Sequence, residues 1–128
     1  MTRRAYKYLQ KAVTIAERST SRARLGAVLV SKNRVVGLGF NQMKKTHPKQ
    51  ERFNTMEEPI GLHAEVHACI GVPTPHLQGS TLYIARLLKN GNLAMSKPCE
   101  SCRRFLIFAE VRRVIYTISN SEIGVMEL

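Results

Sequence analysis

The stretch from residue 61 to residue 70 reads Gly-Leu-His-Ala-Glu-Val-His-Ala-Cys-Ile, and the interpretation of the whole chain starts from it. We predict a short helix here, and Pro59 just before it suits the approach to a helix. A second stretch, Pro98-Cys99-Glu100-Ser101-Cys102, opens a helix predicted over residues 99–110. Both helices directly follow loops, so we expect their N-terminal ends to face one region, where metal and anion chemistry is favoured.

The segments on either side of these helices follow an α/β pattern. An apolar stripe predicts a helix over residues 3–18, with Thr2 as its N-cap. Two apolar runs, 25–30 and 35–40, predict a hairpin that turns near Asn33. Two strands followed by strand–helix alternation predict an α/β sandwich. The remaining strands are predicted over 81–88 and 111–117, and the remaining loops over 19–24, 42–60 and 89–97. The tail over 118–128 is expected to form one short strand or a helical turn. The core candidates in the second helix are Phe105, Leu106 and Phe108.

His63, Cys99 and Cys102 form a candidate metal site. Cysteines three residues apart on a helix lie on the same face, and two thiolates with one imidazole supply three ligands for Zn²⁺. Three protein ligands leave a fourth position for water, as in catalytic rather than structural zinc sites. Zinc lowers the pKa of that water toward neutrality and so supplies hydroxide. Glu65, two residues after His63, is the candidate catalytic residue that moves the protons.

Two other interpretations of these cysteines have to be weighed. A structural zinc site needs a fourth ligand, and His67, four residues after His63, could reach the same helix face. Cys69 falls on a different face, and we expect it to be a buried small apolar residue. A redox Cys-x-x-Cys pair would follow a strand directly, and no predicted strand leads into this helix. The catalytic zinc site is therefore the preferred interpretation.

Composition and charge limit the classes of protein to which the chain can belong. The chain has 128 residues, which predicts one domain over residues 1–128. No stretch approaches the roughly 18 apolar residues of a membrane span, and no apolar segment follows the basic N-terminus as in a signal peptide, so we expect a cytoplasmic protein without membrane contact. The net charge of +11 lies entirely in residues 1–52. A basic half can serve a polyanion or a phosphorylated small molecule.

The paired motifs His-x-Glu and Pro-Cys-x-x-Cys resemble the cytidine deaminase superfamily, from about residue 5 to residue 117. The resemblance implies a three-layer α/β/α sandwich with a mixed sheet, a Zn²⁺ cofactor and a homo-oligomer. Within the superfamily the chain resembles deoxycytidylate (dCMP) deaminases at Arg18-Ser19-Thr20, at residues 25–30 and at Gly39-Phe40-Asn41. Residues 63–68 also resemble riboflavin-pathway deaminases, but those space their two cysteines further apart.

The resemblance to dCMP deaminases implies a reaction and a set of substrate contacts. Zinc hydroxide would attack C4 of cytosine and convert dCMP to dUMP, with Glu65 as the proton shuttle. The Asn41 side chain and the backbone N–H of Ala64 would bind the substrate, and the backbone carbonyl of Lys97 would accept from the leaving amine. The chain departs from these enzymes after Asn41, where Gln42-Met43-Lys44 replaces the usual Gly-x-Pro, and at His67, where they often have Asn.

The basic half suggests two partners. A cytosine nucleotide would place its phosphate near Arg22 and Arg24, and near Lys44, Lys45 and Lys49 of the following loop. The alternative is a polynucleotide deaminase acting on tRNA adenosine or on cytosine in single-stranded DNA. Such enzymes offer aromatic side chains for stacking, and only 6% of this chain is aromatic. A catalytically inactive zinc module is a third alternative, which the presence of Glu65 disfavours.

Overall fold

The computed structural model describes residues 2–53 and 61–128. The predicted loop over 42–60 and Pro59 therefore lie partly or wholly outside the described residues. The helices and strands of the described part are, in chain order, α1 (Arg3–Ala16), β1 (Arg24–Ser31), β2 (Arg34–Phe40), α2 (Pro48–Glu51), α3 (Ala64–Cys69), α4 (Thr74–Leu77), β3 (Thr81–Leu87), β4 (Leu93–Ala94), α5 (Glu100–Phe108), β5 (Arg113–Thr117) and β6 (Ile123–Glu127).

The first helix forms as its apolar stripe predicts. Thr2 caps it, because the Thr2 side chain accepts a hydrogen bond from the Ala5 N–H at 3.1 Å. The helix ends at Ala16, two residues earlier than predicted. Its buried face packs on β1 and β3, and Gly26 of β1 permits this contact because a Cβ there would overlap the helix backbone.

The strands form one mixed sheet in the order β2-β1-β3-β5-β6, with β4 paired to β3. The pair β3–β5 is parallel, and the other pairs are antiparallel. Helix α1 covers one face, and α3 and α5 pack with a second buried cluster on the other. The predicted three-layer α/β/α sandwich with a mixed sheet is confirmed. The predicted hairpin is confirmed as well, with Lys32 and Asn33 at positive φ in its two-residue turn.

Several local predictions need correction. The helix predicted from residue 61 begins at Ala64, and the tail forms a strand, β6, because it pairs antiparallel with β5. Helices α2 and α4 and strand β4 were not predicted, because two to four residues are too few to show an apolar period. Phe108 is wrong as a core residue. The residue is 60% exposed and its ring lies against Phe53 and Arg52, whereas Phe105 and Leu106 are buried in the core.

Glycines in β2 set the position of α3. A Cβ at Gly39 would overlap the carbonyl of Ala64 and the N–H of Ala68, and a Cβ at Gly37 would overlap the carbonyl of Ala68. The helix backbone therefore rests directly on the strand backbone. No helix in residues 2–53 and 61–128 is long and apolar enough to cross a membrane.

Candidate active site

Two helix N-termini meet at the candidate site. His63 is the N-cap residue of α3, and Cys99 is the N-cap residue of α5. Both have extended backbone, and neither side chain caps its own helix, so each side chain turns toward the space between the helices. Cys102 lies one turn into α5 and is fully buried. The structure therefore brings His63, Cys99 and Cys102 together, as the sequence motifs predict.

The donor set fits a zinc ion. The Nδ1 atom of His63 lies 3.0 Å from Cys102 Sγ and 3.5 Å from Cys99 Sγ, and the three donor atoms lie within 4.8 Å of one another. Tetrahedral zinc with ordinary bond lengths places neighbouring nitrogen and sulfur ligands roughly 3.5–3.8 Å apart. One imidazole and two sulfurs at these separations can hold a single Zn²⁺, which is the cofactor of this site.

The two alternative ligands are engaged elsewhere. The Nδ1 atom of His67 accepts the Phe40 N–H at 3.0 Å, which fixes the imidazole against the end of β2. Cys69 is buried in the apolar cluster under the sheet, and burial raises the pKa of its thiol to about 12. Among the described residues, the group that could hold a metal contains neither of them. Among the described residues the candidate site therefore offers three protein ligands, the number that catalytic zinc sites have.

Glu65 lies in the first turn of α3 beside the ligands. Its carboxyl is buried, and this desolvation raises its pKa to about 7, against smaller opposite effects of a backbone hydrogen bond and of His63. A carboxyl with a pKa near neutrality can both accept and release a proton. The two thiols respond oppositely to their hydrogen bond, which lowers the pKa of Cys99 and raises that of Cys102.

Gln50 supports the site from a segment that sequence reasoning treated as a loop. Its side chain is 1% exposed, and its Oε1 accepts the backbone N–H of His63 at 3.0 Å. Because His63 is the N-cap residue of α3, this hydrogen bond fixes the start of the helix. It thereby helps to position both the His63 side chain and Glu65. A single glutamine in a polar stretch gives no signal of this contact, so the sequence could not identify it.

A cavity of about 490 Å³ opens beside the metal ligands. It is lined by His63, Glu65 and Cys99, and also by four of the predicted substrate contacts: Asn41, Ala64, Lys97 and Arg22. Arg24 does not line it, because its guanidinium turns away and donates to the Leu88 carbonyl at 2.8 Å. Lys44, Lys45 and Lys49 do not line it either.

The Asn41 side chain holds together one wall of the cavity. Its Oδ1 accepts hydrogen bonds from the Leu25 N–H at 2.9 Å and from Ser19 Oγ at 2.7 Å, and its Nδ2 donates to the Ala23 carbonyl. These contacts fix the loop that leads into β1. Arg22, which lies in this loop, is thereby kept at the cavity.

A buried hydroxyl pair holds the opposite wall. Ser96 Oγ lies 2.9 Å from Thr117 Oγ1, and Ser96 Oγ also accepts the Thr117 N–H at 2.8 Å. Ser96 precedes Lys97 and the Pro98-Cys99 segment, so these bonds tie the approach to a metal ligand to β5. Arg86 of β3 and Met95 also line the cavity, and sequence reasoning missed both.

An α/β/α sandwich that assembles one histidine and two cysteines beside a buried glutamate defines a class of enzyme, the zinc-dependent hydrolytic deaminases of nucleobases. Residues 2–118 match the family described as the cytidine and deoxycytidylate deaminase zinc-binding region. The chain belongs to this family.

One relative is similar in sequence, and two solved structures share the fold. A deoxycytidylate deaminase of Mycobacterium phage D29 is 26% identical over 125 residues, which cover 85% of this chain and 90% of the relative. The solved dCMP deaminase of cyanophage S-TIM5 is 22% identical with a TM-score of 0.63, over 92% of this chain and 86% of that one. RibD of Acinetobacter baumannii is also 22% identical, with a TM-score of 0.58 over 90% of this chain, which spans only 28% of the RibD chain.

Proposed function

We propose that this protein hydrolyses dCMP to dUMP and ammonia. The observation that carries the proposal is the charge distribution around the cavity. Glu65 is the only acidic side chain among the described residues that line it, and it lies beside the metal ligands. Three cationic side chains, those of Arg22, Arg86 and Lys97, line the same cavity. A cytosine base at Glu65 with a phosphate among the cations matches this distribution.

The cavity and the relatives support the same substrate class. A volume of about 490 Å³ lies within the range of about 300–1,000 Å³ usual for small-molecule sites. The relative from Mycobacterium phage D29 is named a deoxycytidylate deaminase. The cyanophage S-TIM5 enzyme has also been solved in complex with dCMP and dUMP.

Different residues of the chain hold the metal, transfer protons and bind the substrate in this proposal. His63, Cys99 and Cys102 would hold zinc, which supplies a nucleophilic hydroxide near neutral pH. Glu65 moves two protons from the attacking water, one to N3 of the base and the other to the amine, which leaves as ammonia. The backbone N–H of Ala64 contacts the base, and the carbonyl of Lys97 accepts from the amine. Asn41 shapes the substrate-facing wall, and Arg22 contacts the phosphate.

The test is a deamination screen of the zinc-loaded protein. The substrates are dCMP, CMP, dCTP, deoxycytidine, cytidine and a single-stranded oligonucleotide that contains cytosine. We expect the highest kcat/KM for dCMP. Turnover confined to the oligonucleotide, with a steep dependence on salt concentration, would instead assign a polynucleotide substrate. Deamination of none of these compounds by the zinc-loaded protein would refute the proposed reaction.

Arg22 gives a finer test of the same site. Arg22→Ala should raise the KM for dCMP about tenfold or more, because one charge-assisted hydrogen bond to phosphate is lost. The KM for deoxycytidine should stay within about twofold, because deoxycytidine has no phosphate to lose. An equal rise for both substrates would show that Arg22 supports the loop rather than the phosphate.

A further inference from the structure

Arg86 is an arginine on a central strand, and it forms no ion pair within residues 2–53 and 61–128. It lies near the end of β3, opposite Leu25 of β1 and Ala94 of β4. Its Nε atom is buried without a hydrogen-bond partner, and neither ion pair of the described residues includes it. A buried donor without a partner is costly, so the Nε atom calls for an explanation beyond folding.

The strand register directs this side chain to the metal side of the sheet. Alternate residues of β3, Leu82 and Ile84, pack in the cluster with α3 and α5, while Tyr83 and Ala85 pack in the cluster with α1. Arg86 continues the first series, because side chains alternate between the two faces of a strand. It is accordingly one of the residues that line the cavity.

We propose that Arg86 selects the nucleotide over the nucleoside by binding the 5′-phosphate of the substrate. This inference rests on the proposed function and adds Arg86 to Arg22 as a phosphate contact. A guanidinium offers a planar set of donors that matches phosphate in a bidentate manner, and a phosphate oxygen would accept from the Nε that has no partner. A neutral base carbonyl would leave the charge uncompensated. Arg24, which the sequence suggested for this role, already has the Leu88 carbonyl as its partner.

The same argument predicts how Arg86 affects the protein without substrate. Replacing Arg86 with an apolar side chain of similar length removes the buried Nε donor that has no partner. Arg86→Met should therefore have a melting temperature equal to or above that of the wild type when no ligand is added. Added dUMP should raise the melting temperature of the wild type, since a ligand that binds only the native state stabilises it. The same addition should leave Arg86→Met nearly unchanged.

The kinetic experiment compares dCMP with deoxycytidine in Arg86→Gln and Arg86→Met. We expect kcat/KM for dCMP to fall on the order of 10- to 100-fold, as for loss of a charge-assisted hydrogen bond. The value for deoxycytidine should stay within about twofold, because that substrate has no phosphate. Arg34→Gln is the matched control for loss of one positive charge. Arg34 is exposed at the far end of β2 from Asn41, so both values should stay unchanged.

Two results would overturn the assignment. An equal loss for both substrates would make Arg86 a residue that supports the base or the fold, and no loss for dCMP would leave it without a role in binding. If the wild type deaminates neither substrate, the proposed function fails, and the melting experiment still decides on Arg86. Stabilisation by dUMP that disappears in Arg86→Met but persists in Arg34→Gln supports phosphate binding, whereas equal stabilisation of both variants refutes it.

Discussion

Gly39→Ala tests whether the contact between β2 and α3 positions the catalytic residues. Gly39 has no positive φ, so alanine suits its backbone, and any effect is steric. The added Cβ would lie 3.0 Å from Ala68 Cα and even closer to the Ala64 carbonyl and the Ala68 N–H. Relief of these contacts to normal carbon separations requires α3 to move on the order of 1 Å.

That movement has two calculable consequences. Overpacking of this kind costs about 1–3 kcal/mol of unfolding free energy. The same shift moves His63 and Glu65, because they flank Ala64 at the start of α3. A misplacement of about 1 Å at a catalytic group costs on the order of 100-fold in rate. We therefore expect Gly39→Ala to lower both stability and kcat/KM for dCMP, whereas zinc is retained at saturating concentration.

The assays are urea unfolding and steady-state deamination, with Gly79→Ala as the control. Gly79 is exposed at φ +73°, and a Cβ there meets no atom within 4 Å. This control should lose about 1 kcal/mol to backbone strain and keep its rate. If Gly39→Ala keeps a rate within twofold of the wild type, α3 is not positioned by this contact. If Gly79→Ala loses as much rate as Gly39→Ala, the loss reflects general destabilisation.

Three further outcomes are expected. Glu65→Gln should keep its fold and its zinc, measured by metal analysis, and lose about 10²- to 10⁴-fold in kcat, because the proton shuttle is absent; near-normal turnover would contradict the role of Glu65. Gln50→Met should lose about 1–3 kcal/mol and bind zinc more weakly in chelator competition, because the His63 N–H loses its acceptor, and wild-type zinc affinity in this variant would contradict the role of Gln50. Cys69→Ala should keep one zinc per chain. Burial raises the pKa of the Cys69 thiol to about 12, whereas the pKa of an unfolded thiol is about 8.5. The unfolding free energy of the wild type should therefore fall as pH rises above about 8.5. Unfolding curves should show a smaller fall in Cys69→Ala, which has no thiol at this position.

The residues of the metal site could be predicted because their signal is local. His63 and Glu65 are two residues apart, Cys99 and Cys102 are three apart, and each pair sits at the start of a helix. Residue type and short spacing therefore indicate the chemistry without knowledge of the fold. The first helix and the hairpin were predictable for the same reason, since apolar period and turn residues act over a few positions.

The residues that line the cavity could not be predicted in the same way, because no local pattern identifies them. Arg22 and Arg24 are two residues apart and chemically identical, but only Arg22 lines the cavity. Arg86 and Gln50 carry no motif, and they reach the site because strand pairing and helix packing bring together residues far apart in the chain.

The sequence by itself determined the class of chemistry: a zinc-dependent deaminase on an α/β/α sandwich, with Glu65 as the carboxylate proposed to move the protons. The tertiary structure alone decided which cations line the cavity, which glutamine accepts the His63 N–H, and that the tail pairs with the sheet as β6. The physical reason is the range of the interactions. Metal-ligand motifs and helix starts depend on residues that are neighbours in the sequence. The direction of a side chain and the order of strands depend on contacts between distant segments.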